Sequence, residues 1–502
     1  MEGHGPSAYA GAMSTGASFD LVIRGAAVAD GLGAPLAIAD VAVRGDRIVA
    51  VGEVAGRGGV EIDGAGKVLA PGFIDVHTHD DWAVLAEPQH ACKVLQGCTS
   101  IVVGNCGTSI APGGEQVVAR GGGFESIGAY LEALDNDPAS VNTAALVGHG
   151  SVRTSVIGLR DNRPATEGEL SAMRALVERA MVDGAVGLSS GLIYEPGKYA
   201  PEAELVALAG VAAAAGALYT THMRNEGVGL LDSIAETVRL AEQTGVRVQI
   251  SHHKASGRGA WGLVTQSLAL IDAACAAGLD VMADQYPYTR GSTLLEQIVR
   301  AGELHGFGPE GDLTPAQVLI GAAPHHPEWE GRTLTELAEE WGCDGRAAAD
   351  RVVAEEGRGC IVVLDTMTEA DVETVMAHPS TLIGSDGIPL GGKPHPRLHH
   401  TFPRVLGHYA REKGVFSLET AISRMTGLSA RRFGLADRGE VREGAYADLV
   451  LFDPDVIADT GTFTDPTTVP AGIDRVWVNG VCVAADGEHT GARPGRALRF
   501  SR

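Results

Sequence analysis

The residues most able to do chemistry in this sequence are histidines, one cysteine and one aspartate, each placed at the end of a short apolar run. His77 and His79 close FIDVHTH, two residues apart, so on a strand both side chains leave the same face. Cys106 follows SIVVGN, His222 closes LYTTH, His252 follows VQIS and Asp386 follows TLIGS. Imidazole, thiolate and carboxylate are the donors that Zn²⁺ prefers. One HxH proves little, because two histidines on an edge strand are common. Six such residues at the same ends of five strands point to a metal site.

Two cations share faces with these residues. Arg224 lies two residues after His222, and Lys254 two after His252. Positive groups beside a cationic metal repel unless an anion sits among them. Two arrangements satisfy that condition: pairing with core carboxylates such as Asp284 or Glu195, or a carboxylate-bearing substrate held beside the metal. Tyr286 and Ser292 can add hydroxyl donors to the same anion. His253 points away from His252 and reads as a histidine on the barrel exterior or behind the ligands. His149, between two glycines in VGHG, reads as a backbone contact or an oxyanion donor. The His399-His400 doublet and the pair Cys92 and Cys98 have no partner set at metal spacing.

These residues end five of eight candidate strands: residues 73–79, 100–107, 143–150, 185–191, 218–224, 248–254, 281–288 and 381–387. The markers His77, Cys106, His149, Leu188, His222, His252 and Gln285 are spaced by 29 to 43 residues, one βα unit each; the step from Gln285 to Asp386 is 101. The excess places an insertion after strand 7, over about 291–357, suited to a lid. Helical segments separate the runs; one opens with Thr166 and Glu169 at capping-box spacing and closes at Gly184. The fold class is therefore α/β, a distorted TIM (β/α)8 barrel over residues 71–437 whose chemistry sits at the C-terminal strand ends. Short alternating strands at 19–70 and 438–502 are expected to pair as a small β-sandwich built from both chain ends. Residues 1–18, rich in Gly, Ala and Ser, read as a disordered leader.

The 502 residues carry 39 Lys+Arg against 63 Asp+Glu, a net charge of −24, which argues against nucleic acid or an anionic membrane as partner. The expected partner is a small molecule, and oligomeric state stays open. Seven scattered cysteines do not form a secreted disulfide framework. No run spans a bilayer and no signal peptide precedes the first strand, so the expected location is cytoplasmic.

The motifs HTH (77–79), GNCG (104–107), THMR (221–224), SHHK (251–254), YPY (286–288), GSDG (384–387) and HPR (395–397) together resemble the D-aminoacylase (N-acyl-D-amino acid deacylase) branch of the amidohydrolase superfamily. The likeness runs from about Phe19 to Val483, and the cysteine of GNCG with SHHK and YPYTRGST narrows it to this branch. The resemblance implies a tight zinc site of Cys106, His222 and His252, and a second, weaker position of His77, His79 and Asp386 that can be empty in an active enzyme. It implies Asp386 as general base, and Lys254, Tyr286, Ser292 and the Arg224 of THxR around the substrate's α-carboxylate. The implied activity is hydrolysis of N-acyl-D-amino acids to a carboxylic acid and a free D-amino acid; dipeptides ending in a D-residue are a possible extension. Preference for D over L is implied by the resemblance alone. A neutral or hydrophobic side chain is expected from the small and apolar loop around 390–393, although Lys393 or Arg290 could favour an acidic one. The alternatives are a cyclic-amide hydrolase of hydantoinase or dihydroorotase type, or a non-catalytic scaffold relative. The first needs a carboxylated lysine on strand 4, where AVGLSSG has none and Lys198 comes well past its end; the second would have lost ligands that are all present.

Overall fold

A computed structural model describes residues 18–113, 123–159, 161–301 and 313–500. The expected leader, apart from Ser18, lies outside the described residues, as does 302–312 of the expected insertion.

Eight parallel strands form the barrel: β1 (Phe73–Asp75), β2 (Cys98–Val103), β3 (Asn142–Gly148), β4 (Gly187–Gly191), β5 (Leu218–His222), β6 (Arg247–Ile250), β7 (Val281–Gln285) and β8 (Thr381–Ile383). Each pairs with its sequence neighbour, in the order β8-β7-β6-β5-β4-β3-β2-β1. β8 returns to β1 through backbone bonds just beyond the strands, from Asp386 N to His77 O (2.7 Å) and from His79 N to Gly387 O (2.9 Å). The seam of the barrel is thus made by residues of the chemical set themselves. Helices cover the outside. Thr166 caps Glu167–Asp183 in a reciprocal box with Glu169, and Gly184 ends it at φ 102°, a left-handed turn that favours glycine.

Nine strands from the two chain ends hydrogen-bond into one continuous sheet, which joins where Val68–Pro71 runs antiparallel to Leu449–Phe452. Leu21, Ile23, Val41, Val43, Leu449, Leu451 and Trp477 fill its own core. The C-terminal end departs from the expected plan. Ala497–Leu498 leaves this sheet and pairs in parallel with β3 at Thr143 and Ala144. The reason is local: β4 first meets β3 at Leu146, so the opening residues of β3 present an edge that another strand can cover.

The insertion is a subdomain with a longer reach than 291–357. Arg290–Leu294 and Val318–Ala322 flank Ile361–Asp365 in an antiparallel three-stranded sheet. The apolar IVVL of that third strand is central, so the unit cannot close before residue 365. Leu295, Ile298, Val318, Trp329, Leu337 and Val362 pack in its core. Among the described residues, no helix is long and apolar enough to cross a membrane.

Candidate metal centre

The six candidate ligands converge at the C-terminal mouth of the barrel. Three of them, Cys106 (φ 52°), His252 (φ 36°) and Asp386 (φ 51°), occupy left-handed backbone just past β2, β6 and β8. Side chains other than glycine rarely adopt that conformation, and strain of this kind collects at functional sites. Here it turns each donor from the strand direction into the mouth.

Cys106 is the common point. Its Sγ lies 3.3 Å from His77 Nε2 and 3.4 Å from His252 Nε2. Donor atoms of Cys106, His222 and His252 come within 4.8 Å of one another, as do those of His77, His79, Cys106 and Asp386. His79 Nε2 and His77 Nε2 stand 3.1 and 3.5 Å from Asp386 Oδ1. All except His79 are buried. Two adjoining positions therefore share one thiol.

His222 supplies the test of whether a cation fits. Both of its ring nitrogens are buried without a hydrogen-bond partner, a costly state for a polar group. Thiolate, imidazole and carboxylate around that orphan are the donor set of zinc. The electrostatics agree. Burial favours the neutral thiol of Cys106, yet facing His77 and His252 holds it well below the usual thiol range. Burial likewise opposes ionisation of Asp386, and Arg397, His252 and His79 overcome it. Burial alone would lower His79 and His252; their anionic neighbours raise each to about 9. The mouth draws positive charge onto His77, His79 and His252, while burial keeps the His222 ring toward its neutral form; a divalent ion can supply that positive charge instead.

Behind the ligands stand carboxylates that the sequence did not mark as part of the site. Asp284 Oδ1 accepts from His77 Nδ1 (3.0 Å) and from the His252 backbone N–H (2.8 Å), so His77 is left to present Nε2 inward. Glu226 Oε1 lies 2.9 Å from His252 Nδ1, and Glu226 Oε2 lies 2.5 Å from Lys254 Nζ. Lys254 thus pairs with neither Asp284 nor Glu195. Arg397, fully buried, places Nη2 2.9 Å from Asp386 Oδ2 and stacks its guanidinium 4.5 Å from the Tyr286 ring centre. The same Nη2 donates to the Ser292 carbonyl (3.4 Å), and Ser292 Oγ is buried without a partner. Tyr194 sets its ring 4.8 Å from that of His222 and its hydroxyl 3.3 Å from Thr293 Oγ1.

Arg224 goes elsewhere. It binds Glu236 (2.9 Å) and the carbonyls of Lys198 and Ala200, bracing the loop that carries Tyr194. Sharing a face with His222 was not enough to bring it to the anion position, because a carboxylate one helix away already holds it. His149 is also committed: its Nε2 lies 2.8 Å from Glu204, which Arg153 holds in turn. His253 is buried against Ser267 Oγ at 2.9 Å.

A family model described as the amidohydrolase family matches residues 60–484. D-aminoacylase of Alcaligenes xylosoxydans xylosoxydans is 43% identical over 490 residues, covering 96% of this chain and 97% of that protein. N-acyl-D-glutamate deacylase of the same organism is 42% identical over 489 residues, 96% of each chain. The crystal structure of N-acyl-D-glutamate deacylase from Bordetella bronchiseptica, complexed with zinc and a phosphonate mimic of the tetrahedral intermediate, superposes with a TM-score of 0.88. It is 40% identical and covers 96% of this chain and 99% of its own.

Proposed function

Because the chain belongs to the amidohydrolase family, we propose that it hydrolyses N-acyl-D-amino acids to a carboxylic acid and a free D-amino acid, using zinc. Cys106, His222 and His252 would hold the tight zinc, and His77, His79 and Asp386 a weaker second position beside it. The observation that carries this reading is the shared-thiol centre with the orphaned His222, with cationic Lys254 Nζ 3.0 Å from His252 Nδ1. Bound zinc supplies electrophilic polarisation of the scissile carbonyl and acidifies water.

The remaining work belongs to side chains. Lys254, Tyr286 and Ser292 take the substrate's α-carboxylate. Lys254 exchanges Glu226 for the substrate anion, and Ser292 Oγ donates the bond it otherwise lacks. Asp386 removes a proton from the attacking water as its oxygen bonds to the acyl carbon. It then delivers that proton to the amide nitrogen as the C–N bond breaks, because an amine leaves poorly unless protonated. Arg397 on Oδ2 keeps the carboxylate ionised and oriented, with Oδ1 toward His77 and His79. Fixing the carboxylate, the amide and the side chain in three directions lets the site read chirality at Cα.

The side chain accommodated is neutral or hydrophobic. Arg290 is engaged by Asp365 (3.4 Å) and by the Phe463 ring (4.3 Å), and Lys393 donates to the Thr464 carbonyl (2.8 Å). A zinc-supplemented screen of N-acetyl-D- and N-acetyl-L-amino acids, with matched hydantoins, tests the proposal. Free D-amino acid should appear from neutral substrates only. Turnover of the hydantoins alone would replace it with a cyclic amidase, and release from the L series would remove the chiral assignment.

A further inference from the structure

The segment after β1 carries a second group of metal-binding side chains that the active centre does not use. Asp80 and His90 are buried and Cys92 is half-buried, and one donor atom from each comes within 4.8 Å of the other two. Sequence spacing offered Cys92 no partner set; the fold provides one. His90 adopts left-handed backbone (φ 48°) immediately before the short helix Ala91–Val94, bringing a ring and a thiol two residues apart to the same carboxylate.

What these groups lack is as informative as what they have. Neither ring nitrogen of His90 has a hydrogen-bond partner, nor does Asp80 Oδ1, which lies 3.5 Å from His90 Nε2. The other oxygen of Asp80 is fully engaged, by Thr78 Oγ1 (2.5 Å) and Lys93 Nζ (3.1 Å). His90 Nε2 and Asp80 Oδ1 are therefore left facing each other without a bond, and His90 Nδ1 is buried without a partner, where each would cost free energy unsatisfied. The charge count is also unfinished. Lys93 is buried between two buried carboxylates, Asp75 at 2.8 Å and Asp80, which leaves one negative charge over. A divalent cation bound with a Cys92 thiolate brings the group to neutrality, and buried charge needs that compensation.

We propose that Asp80, His90 and Cys92 form a further cation site, separate from the active centre, for a borderline-soft divalent ion such as zinc. Carboxylate, imidazole and thiolate select that class over magnesium or calcium, which take oxygen donors. On binding, the Cys92 S–H gives its proton to solvent as the metal–sulfur bond forms. The ion would pin the segment next to His79, since Asp80 shares Lys93 with Ser385 Oγ (3.0 Å) on the other side of the barrel seam.

Two measurements on the holoprotein test this. Wild type, Cys92→Ser and His90→Gln are dialysed to equilibrium against the same buffered free zinc, and metal per chain is measured. Each variant should bind one equivalent less than wild type. In wild type alone, alkylation of Cys92 by iodoacetamide is followed by mass spectrometry, with exposed Cys343 as internal reference. Zinc should slow Cys92 at least tenfold and leave Cys343 unchanged. Equal zinc content in wild type and Cys92→Ser overturns the proposal. If the variants do not fold, unprotected Cys92 in zinc-loaded wild type does the same.

Discussion

Glu226 stands between the proposed zinc site and the proposed carboxylate site, so Glu226→Gln should move the two in opposite directions. The side chain keeps its size and loses its charge. At 2.9 Å from His252 Nδ1, the charge of the carboxylate raises the basicity of that ring. Loss of such an outer carboxylate costs about 10- to 100-fold in metal affinity. On its other oxygen Glu226 competes with substrate for Lys254, at 2.5 Å from Nζ. A charged hydrogen bond contributes about 1 kcal/mol more than a neutral one, so an amide competitor is weaker by about fivefold. Zinc affinity, measured by competition with a chromophoric chelator, should therefore fall 10- to 100-fold. At saturating zinc, KM for an N-acetyl-D-amino acid should fall about fivefold. Zinc affinity within twofold of wild type would refute the role behind His252. A raised KM would mean that Glu226 holds Lys254 in its working position and does not compete for it.

Three further outcomes follow from the same contacts. Asp386→Ala should lower kcat by about 10²- to 10⁴-fold while retaining zinc at Cys106, His222 and His252; near-native kcat would displace Asp386 as the base. Lys254→Ala should raise KM about 10- to 100-fold for α-carboxylate substrates, the equivalent of one charged hydrogen bond, and spare amides without that group; equal effects on both would remove the carboxylate role. His253 contributes an acid sensitivity of its own. Burial lowers its ring from the ordinary 6.5 to about 4. The unfolded chain therefore takes up a proton that the folded chain refuses, and stability present above pH 6.5 is lost as pH falls toward 4. The loss amounts to about 3 kcal/mol over that interval. Urea titrations from pH 7 to 4 should show a shallower decline for His253→Gln, which can still bond Ser267; parallel declines would place the sensitivity elsewhere.

The barrel was legible because its signal is local and repeated: polar residues close nearly every apolar run, and six of the seven steps between markers keep the length of a βα unit. All six candidate ligands meet for the same reason, since parallel strands in a barrel put their C-terminal ends in one place. What sequence missed is set by contacts across long separations or by backbone departures from the regular strand. Glu226 lies four residues after His222, but only the curl of that loop brings it behind His252. Asp284 reaches His77 across 207 positions, and Arg397 reaches Asp386 from a helix that begins after a loop. The HPR motif marked Arg397 without giving it a partner. Alternation and the THxR resemblance both put Arg224 at the anion position, and neither says anything about the carboxylate on the next helix that claims it.

The same geometry says where substrate choice can vary without cost to the chemistry. Every proposed zinc ligand hangs from a barrel strand end, and each is fixed from behind or beside by residues of the barrel and its loops. The proposed substrate wall has another origin. Arg290–Leu294 is an outer strand of the insertion; it sets Thr293 Oγ1 3.3 Å from the Tyr194 hydroxyl, gives the Ser292 carbonyl to Arg397, and continues into Leu295 and Ile298 of the insertion's separate core. Substitutions along that strand are buffered by a core that shares nothing with the metal centre. Relatives of equal overall identity are named for D-glutamate and for D-aspartate, a difference in side chain that leaves the overall likeness to this chain unchanged. In this chain an acidic side chain would require a cation at that wall. Freeing Arg290 means breaking its contacts with Asp365 and Phe463, and freeing Lys393 means breaking its bond to Thr464. A neutral side chain asks for neither, and that difference in cost is the physical basis of the proposed preference.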